Sequence, residues 1–493
     1  MAVRNRVGSF FEKYPREMSW LLFGLCLFTT ILAYYPGNFY LLNDDLIHIP
    51  ESIKGKVFQN RFQRPVHELS LTMDYHVWGG AIIGYHITKL LIHISCTFLV
   101  LKLSFQLFKR YAPESSFDGL NFALITASVF CLYPFHSEAV LWILGRTASL
   151  ACVFFLLSLV FLLSKYHSVI RLGLSLAFFG IGLFTYESVW ILPVLVIFLA
   201  ISDRYLTMEG SRITWKQASL FLTIFIGNLL FRHLFLGRVA SDYELNASVA
   251  TVIKPLILNY NRLLARSFLP PMDSTVNFIV LYGLVLLGMV VLIYRYFRPI
   301  KKHYFLYLMI ACFGLSLFPV ITLGIDTHDR ESERFLYLPS VFFCLLISYL
   351  MVVNRLDNRY KFLVIMVLLI GYSFFTLQNA KDYKMAGRLN AQLFEKIELA
   401  SKSTINEIQI DLPYEFNGVP TLRIGLAEGV DWLTTVDSAT VHVKDTLEII
   451  PVSGFRWLTE EYGHIYFDTC YSGKIICLFD PRSAFSIQKH PLR

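Results

Sequence analysis

Apolar runs long enough to cross a bilayer recur along this chain, and no other feature limits its fold so strongly. About 30 Å of hydrocarbon asks for roughly 17–25 apolar residues in a helix, and by that rule about eleven runs qualify. They lie near residues 18–36, 81–108, 118–135, 147–164, 170–186, 188–202, 215–236, 276–297, 304–324, 335–353 and 360–378. Backbone polar groups in lipid must be paired within the segment, so these runs predict an all-α polytopic membrane protein. Charged residues make up 16% of the 493, against about one quarter in a soluble protein. Mean hydropathy is +0.53. The first run follows Lys13 and Arg16, is too long for a signal-peptide core and lacks a small-x-small cleavage site, so it reads as a retained first span.

Positive charge sets the expected orientation. With the N-terminus inside, every inside loop is basic: Arg4, Arg6, Lys13 and Arg16; Lys109 and Arg110; Lys165 and Arg171; Arg204, Arg212 and Lys216; Arg295, Arg298, Lys301 and Lys302; Arg355, Arg359 and Lys361. The opposite loops hold the acids Asp44, Asp45, Glu51, Glu138, Glu187, Asp242, Glu244, Asp326, Asp329, Glu331 and Glu333. An odd number of spans then puts the C-terminal tail outside. The net charge of +8 is spread over these short clusters, so no basic patch for nucleic acid is expected.

Two outside segments are long, 37–80 and 237–275. Within the second, 249–269 is apolar with Lys254, Arg262 and Arg266 interspersed, the pattern of a helix lying in the interface. After residue 380 the composition changes to β-rich stretches at 408–412, 440–443 and 466–468, with turns at Asn417-Gly418 and Ser472-Gly473. The expected organisation is therefore a transmembrane domain over 1–380 and a small extracytoplasmic β-containing soluble domain over 381–493. Six of the eight cysteines lie in apolar runs and read as small core residues. Cys470 and Cys477 flank the second turn, where a disulfide is one option that spacing does not decide. Asn246-Ala247-Ser248 fits a glycosylation sequon and carries no weight.

Charge near a membrane is costly and needs a reason. In the orientation above, acids and bases converge on the outer side: Asp44-Asp45, Arg64, His86 and His93, His136 and Glu138, Arg146, Glu187 and Arg334. Such a set suits a lipid-linked phosphosugar. Arg and His can hold its phosphate by charge-assisted hydrogen bonds. A carboxylate can take the proton of an incoming hydroxyl, and sugar transfer passes through a cation-like centre that a carboxylate also favours.

These stretches resemble the GT-C membrane glycosyltransferases that use polyprenyl-phosphate sugar donors. Within them the chain looks most like the transmembrane O-mannosyltransferases that carry tetratricopeptide repeats, and their protein O-mannosyltransferase relatives. The resemblance rests on Asp44-Asp45; Arg64-Pro65-Val66; Gly84-Tyr85-His86 with His93; Pro134-Phe135-His136-Ser137-Glu138-Ala139-Val140 with Trp142 and Gly145-Arg146; Glu187; and Glu333-Arg334-Phe335-Leu336-Tyr337-Leu338-Pro339-Ser340, in order across residues 40–340. Lys89 stands where the family usually has Asn, Tyr186 replaces a Lys, and a β-rich tail stands in place of the repeats.

The resemblance implies a GT-C fold with Asp44 or Asp45 as the catalytic base, or as a metal ligand where a metal is used. The alternative is a helix-capping acid. It implies Arg334 as the ligand of the lipid phosphate, the alternative being an interface anchor paired with Glu331 or Glu333. Arg64 and Arg146 are expected to touch phosphate or sugar. His136, Glu138 and Glu187 are expected to hydrogen-bond the sugar or orient the aspartates, or else to be structural. His86 and His93, seven apart on one helix face, read as a packed pair rather than a metal site. The expected function is transfer of a sugar, most simply a mannose-like hexose, from a polyprenyl-phosphate donor to a hydroxyl of a protein or glycan acceptor on the non-cytoplasmic face. A transporter or flippase of lipid-linked glycans, or a non-catalytic glycolipid-binding scaffold, are the alternatives. No cofactor is required by the sequence, and a divalent metal stays open. The expected location is a bacterial inner membrane with the site facing the periplasm, or in a eukaryote the endoplasmic reticulum with a lumenal site.

Overall fold

A backbone in lipid has no hydrogen-bond partner but itself, so each of the apolar runs folds as helix. The computed structural model describes residues 15–55, 64–112, 117–164, 168–205, 212–236, 249–272, 274–296, 303–352, 358–400, 407–451, 469–472, 475–478 and 485–490. Its helices, in chain order, are α1 (Pro15–Ala33), α2 (Asp45–Ile53), α3 (Pro65–Trp78), α4 (Ile82–Tyr111), α5 (Gly119–Cys131), α6 (Ser137–Leu141), α7 (Arg146–Leu162), α8 (Ser168–Leu183), α9 (Leu192–Tyr205), α10 (Trp215–Leu236), α11 (Val249–Arg266), α12 (Thr275–Tyr296), α13 (Tyr304–Ser316), α14 (Pro339–Val352), α15 (Asn358–Ala400) and α16 (Leu426–Leu433).

Among the described residues, six helices are long and apolar enough to cross a membrane, or seven if the bent pair Gly119–Cys131 and Pro134–Leu141 is one broken span. Shorter apolar helices occupy Val169–Leu183, Tyr304–Val320 and Pro339–Val352. Length and composition thus license fewer crossings than the eleven expected. The protein is a multi-pass membrane protein. Trp20, Leu25 and Phe28 on α1 and Ile279, Leu284, Leu287 and Val290 on α12 point outward, an apolar surface that only lipid would solvate well. The stretch Ile143–Leu162 is 78% buried and the Thr275–Tyr294 stretch 6% buried, so α7 stands at the centre and α12 at the rim. Around α7 pack α4 and α8, with α5 on α4 and α14 on α5.

Several joints hold the bundle by charge. On one end Arg110 pairs with Asp203 at 2.5 Å, and Asp203 also accepts from Tyr111 Oη and the Ile213 N–H, both at 2.8 Å. On the other, Arg266, the last residue of α11, pairs with Glu333 at 2.5 Å, both fully buried. Helix α11 forms where the interface helix was expected, with Leu263 and Arg266 inside and Ile257 and Leu258 outside. The sequon at 246–248 lies outside the described residues.

The expected domain boundary at 380 falls inside α15, one unbroken helix that leaves the bundle and carries the chain to a sheet. Strands β1 (Glu407–Phe416), β2 (Val419–Pro420), β3 (Val441–Pro451), β4 (Thr469–Ser472), β5 (Ile475–Leu478) and β6 (Phe485–His490) form one mixed sheet in the order β4-β5-β1-β3-β6, with β2 on β1. β1 runs parallel to β3 and β5, while β6 and β4 pair antiparallel at the two sides. Asn417 and Gly418, at φ +48° and +78°, make the tight turn between β1 and β2 that an Asn-Gly pair predicts. The register of β4 on β5 sets Cys470 opposite Cys477.

Candidate functional site

A cleft open to solvent, with about 720 Å³ of empty space counted out into the solvent, lies where the first outer loop meets the centre of the bundle. Asp44 and His48 reach it from the start of α2, Arg64, His67 and Glu68 from the start of α3. Trp142, Leu144 and Thr147 come from the turn into α7, and Tyr186, Leu323, Arg334 and Phe335 close it. Three of the residues singled out in sequence, Asp44, Arg64 and Arg334, therefore share one space although they are far apart in the chain.

Asp44 occupies the N-cap position of α2, yet its side chain makes no capping hydrogen bond. Its Oδ1 is buried without a hydrogen-bond partner. Burial raises the carboxyl above the ordinary aspartate range, and the charges of Arg334 and His48 pull partly the other way. Asp45 is placed differently. It is fully buried, its Oδ2 accepts the Leu42 N–H at 3.1 Å and its Oδ1 the Leu144 N–H at 2.9 Å. It ties the first loop to the segment before α7 and does not line the cavity. Burial, and after it the neighbouring Asp44 charge, push its carboxyl up to about 7.

The cations are held from behind. Arg334 donates through its backbone N–H to Glu138 Oε2 at 2.6 Å and through Nη1 to Glu138 Oε1. Its guanidinium lies 4.7 Å over the Trp142 ring and 5.0 Å over Phe335. The Ser332 N–H also donates to Glu138, at 3.2 Å. Arg64 donates from Nε and Nη2 to Glu187 Oε2 at 3.1 and 2.8 Å, with its guanidinium 4.5 Å over Tyr186. Arg232 lies 3.6 Å from the other oxygen of Glu187. Glu138 and Glu187 thus hold the two arginines rather than facing that cleft themselves. Tyr186 supplies the ring beneath Arg64.

Two residues expected at the site stand elsewhere. Arg146 is fully buried, its Nη1 bound to Asp74 and its Nη2 donating to the Tyr85 carbonyl at 3.3 Å. The salt bridge consumes it, because an unpaired guanidinium in this interior would be far costlier. His136 is also fully buried, 4.3 Å from the Tyr337 ring, with Nε2 on Ser340 Oγ at 2.7 Å. The break at Pro134 turns its ring into that aromatic cluster while Glu138, two residues on, reaches Arg334. His93 bonds Tyr337 Oη at 2.7 Å and the Cys131 carbonyl at 3.2 Å, and His86 packs on Phe39. Lys89 is fully buried beside these, its Nζ without a hydrogen-bond partner.

Sequence reasoning missed His48, His67, Glu68, Trp142 and Thr147 as cavity residues. A signal was there: Pro65 is a good first helical residue, and from that start Arg64, His67 and Glu68 fall three and four apart on one face. His67 Nδ1 lies 3.0 Å from Thr147 Oγ1, and burial, then the nearby Arg146 and Arg64 charges, hold its pKa well below the usual histidine value. Glu68 accepts from Ser52 Oγ at 2.5 Å. Among the described residues no group of three or more His, Cys, Asp or Glu side chains is arranged to hold a metal ion.

No family model matches the chain. Local similarity links it to protein O-mannosyl-transferases: F38B6.6 of Caenorhabditis elegans, 32% identical over 97 residues, 20% of this chain and 13% of the relative; human TMTC4, 31% over 100 residues, 19% and 14%; and mouse TMTC2, 29% over 154 residues, 28% and 17%. The matched region thus spans under a fifth of these relatives' length. Among solved structures, ArnT from Cupriavidus metallidurans bound to undecaprenyl phosphate aligns over 88% of this chain and 92% of its own at a TM-score of 0.49 and 10% identity. The Archaeoglobus fulgidus oligosaccharyltransferase AglB, in complex with an inhibitory peptide and a dolichol-phosphate, aligns over 86% and 64% at 0.46 and 11%.

Proposed function

We propose that this protein is a membrane glycosyltransferase that moves a sugar, most simply a mannose-like hexose, from a polyprenyl-phosphate donor to a hydroxyl of a protein or glycan acceptor at the non-cytoplasmic face. The observation that carries the reading is Asp44, with a buried and unpartnered carboxylate oxygen, in the same cavity as Arg64 and Arg334. The local similarity to protein O-mannosyl-transferases supports it.

In this reading the acceptor hydroxyl attacks the anomeric carbon while Asp44 takes its proton. The bond from that carbon to the phosphate oxygen breaks, and the electron pair leaves with the lipid phosphate. Arg334 and Arg64 neutralise the charge that develops there. A guanidinium offers five N–H donors in a fixed fork, so Arg334 can hold Glu138 and still present donors to the cavity. Glu138 and Glu187 keep both forks in place before the donor arrives, so little reorganisation is left for the reacting step. With its Nδ1 engaged by Thr147, His67 has Nε2 to serve a sugar hydroxyl. Asp45 sits one residue away in a packed position, which favours Asp44 as the base.

The test is transfer of labelled sugar from purified polyprenyl-phosphate donor by the full-length protein in detergent. Transfer to a hydroxyl acceptor is expected, with release of the lipid phosphate. An Asp44→Asn variant with wild-type turnover would sink the assignment, and movement of intact donor across liposomes without cleavage would favour a transporter.

A further inference from the structure

The sheet-bearing C-terminal region, expected to be a separate domain, contacts two loops that flank the site. The residue before the acid, Asn43, is held by it on three sides. The Asn43 N–H donates to the Thr421 carbonyl at 2.6 Å. Its Oδ1 accepts the Ile424 N–H at 3.0 Å. Gly425 lies so close that a Cβ there would sit 2.9 Å from the Asn43 carbonyl oxygen. Asn43 itself is at φ +49°, a left-handed conformation that Asn tolerates better than most residues. From α15, Asn390 Nδ2 donates to both the Leu41 carbonyl at 2.9 Å and the Thr421 carbonyl at 3.1 Å.

The same short segment grips the loop that carries the cation. The Arg330 N–H donates to the Gly418 carbonyl at 2.9 Å. Arg423 reaches three carboxylates, Asp329 at 2.9 Å together with Glu331 and Glu415. Arg330 and Asn417 both bind Asp382 on α15, at 2.7 and 2.8 Å. Asn43 adjoins Asp44, and Glu331 lies three residues before Arg334. One piece of chain, from the Asn417-Gly418 turn to Gly425, therefore touches both loops whose spacing sets the distance between the acid and the phosphate-binding arginine.

We propose that this segment is the positioning element of the transfer reaction, with Asn43 and Arg423 as positioning residues that fix Asp44 against Arg334. The inference rests on the reading of Asp44 as base. Its physical basis is the steep dependence of an intramolecular reaction on alignment: a misplacement of about 1 Å by a remote change can cost about a hundredfold in rate. Arg423 acts through the 329–331 loop, and Asn43, which also lines a small cleft with Glu138, Trp142 and Arg334, acts through the backbone of Asp44.

The experiment uses full-length protein carrying Asn43→Gly, Arg423→Ala or Arg423→Lys. Asn43→Gly keeps access to the left-handed backbone and removes the side chain whose Oδ1 accepts the Ile424 N–H. For Asn43→Gly and Arg423→Ala, kcat is expected to fall about tenfold or more while the donor KM stays within about twofold, the signature of lost transition-state alignment. The acid limb of the pH–kcat profile shifts with it, because the surroundings of Asp44 change, and Arg423→Lys recovers part of kcat. A merely structural contact would lower the melting temperature and leave the split and the limb alone. If Arg423→Ala does not elute as a folded species, Asn43→Gly decides. Wild-type kcat and pH limb in Asn43→Gly would overturn the inference alone. Absence of transfer by the wild type would overturn the functional reading and the inference with it.

Discussion

Asp44 and Asp45 share a chemistry and differ in surroundings, and the difference comes from the first turn of α2. Successive residues there point about 100° apart, so one carboxylate enters the cavity and the other meets the N–H groups of Leu42 and Leu144. Asp44→Asn is expected to fold and to lose about 10²- to 10⁴-fold in turnover, the range of a general base. Asp45→Ala leaves two buried N–H groups without acceptors, at a cost of about 1–3 kcal/mol each, so a lowered melting temperature in detergent is its main effect. The pH profile gives a second check. Burial raises the Asp44 carboxyl, so turnover that needs the carboxylate should be lost as pH falls through a value above 3.8. Arg334 lowers that value, so Arg334→Gln should move the acid limb of kcat/KM to higher pH; an unmoved limb would separate the two residues. Sequence brought both aspartates forward because their types and position were visible. It could not choose between them, since the choice depends on which faces a backbone supplied from residue 144.

At the scale of elements, apolar runs made the long helices legible, and Asn417-Gly418 made the β1–β2 turn legible, because each is decided by local chemistry. The segment from Pro134 to Arg146 was not. It folds as a short helical turn, α6 and a second turn, all buried, and it delivers Glu138 and Trp142 to one side and His136 and Arg146 to others. What fixes its path is contact with elements distant in sequence: Asp45 on Leu144, Leu42 on Trp142 and Arg334 on Glu138. Gly145 permits the fold-back, for a Cβ there would collide with the Glu138 carbonyl and lie 3.1 Å from the Ala139 Cα. Gly145→Ala should therefore cost about 1–3 kcal/mol by overpacking, read as a lower melting temperature, and should displace Glu138. The displaced carboxylate no longer holds Arg334, so the donor KM should rise as well. An alanine variant with the stability and KM of the wild type would mean that the segment has slack the packing does not reveal.

For the whole molecule, the contacts at Asn43 bear on topology. Helix α1 is a candidate span, and if it crosses, Pro15 and the loop after Ala33 lie on opposite faces. The loop after Ala33 carries Asn43, which hydrogen-bonds Thr421 and Ile424 of the C-terminal region. That region and the first outer loop must then share a face, and the N-terminus lies across the membrane from both. An even number of crossings between the termini is incompatible with this, so six independent spans cannot be the full set. Seven would satisfy it, with the bent pair counted as one span; adding the three shorter apolar helices gives ten, so that α9 (Leu192–Tyr205) would have to cross as well to restore an odd count of eleven. The distribution of basic residues predicts the sign, with Arg16 and Lys216 expected on the cytoplasmic side. A membrane-impermeant thiol reagent tests both statements, applied to sealed cells carrying Lys216→Cys or Glu428→Cys, each at an exposed position. Labelling is expected at position 428 in intact cells, and at 216 only after permeabilisation. Labelling of both from outside would mean an even number of crossings between 216 and 428, against the three candidate spans of the seven-span arrangement. Labelling of 216 alone would keep the count and reverse the orientation, moving Asp44, Arg64 and Arg334 to the cytoplasmic side, where a donor displayed on the opposite leaflet could not reach them.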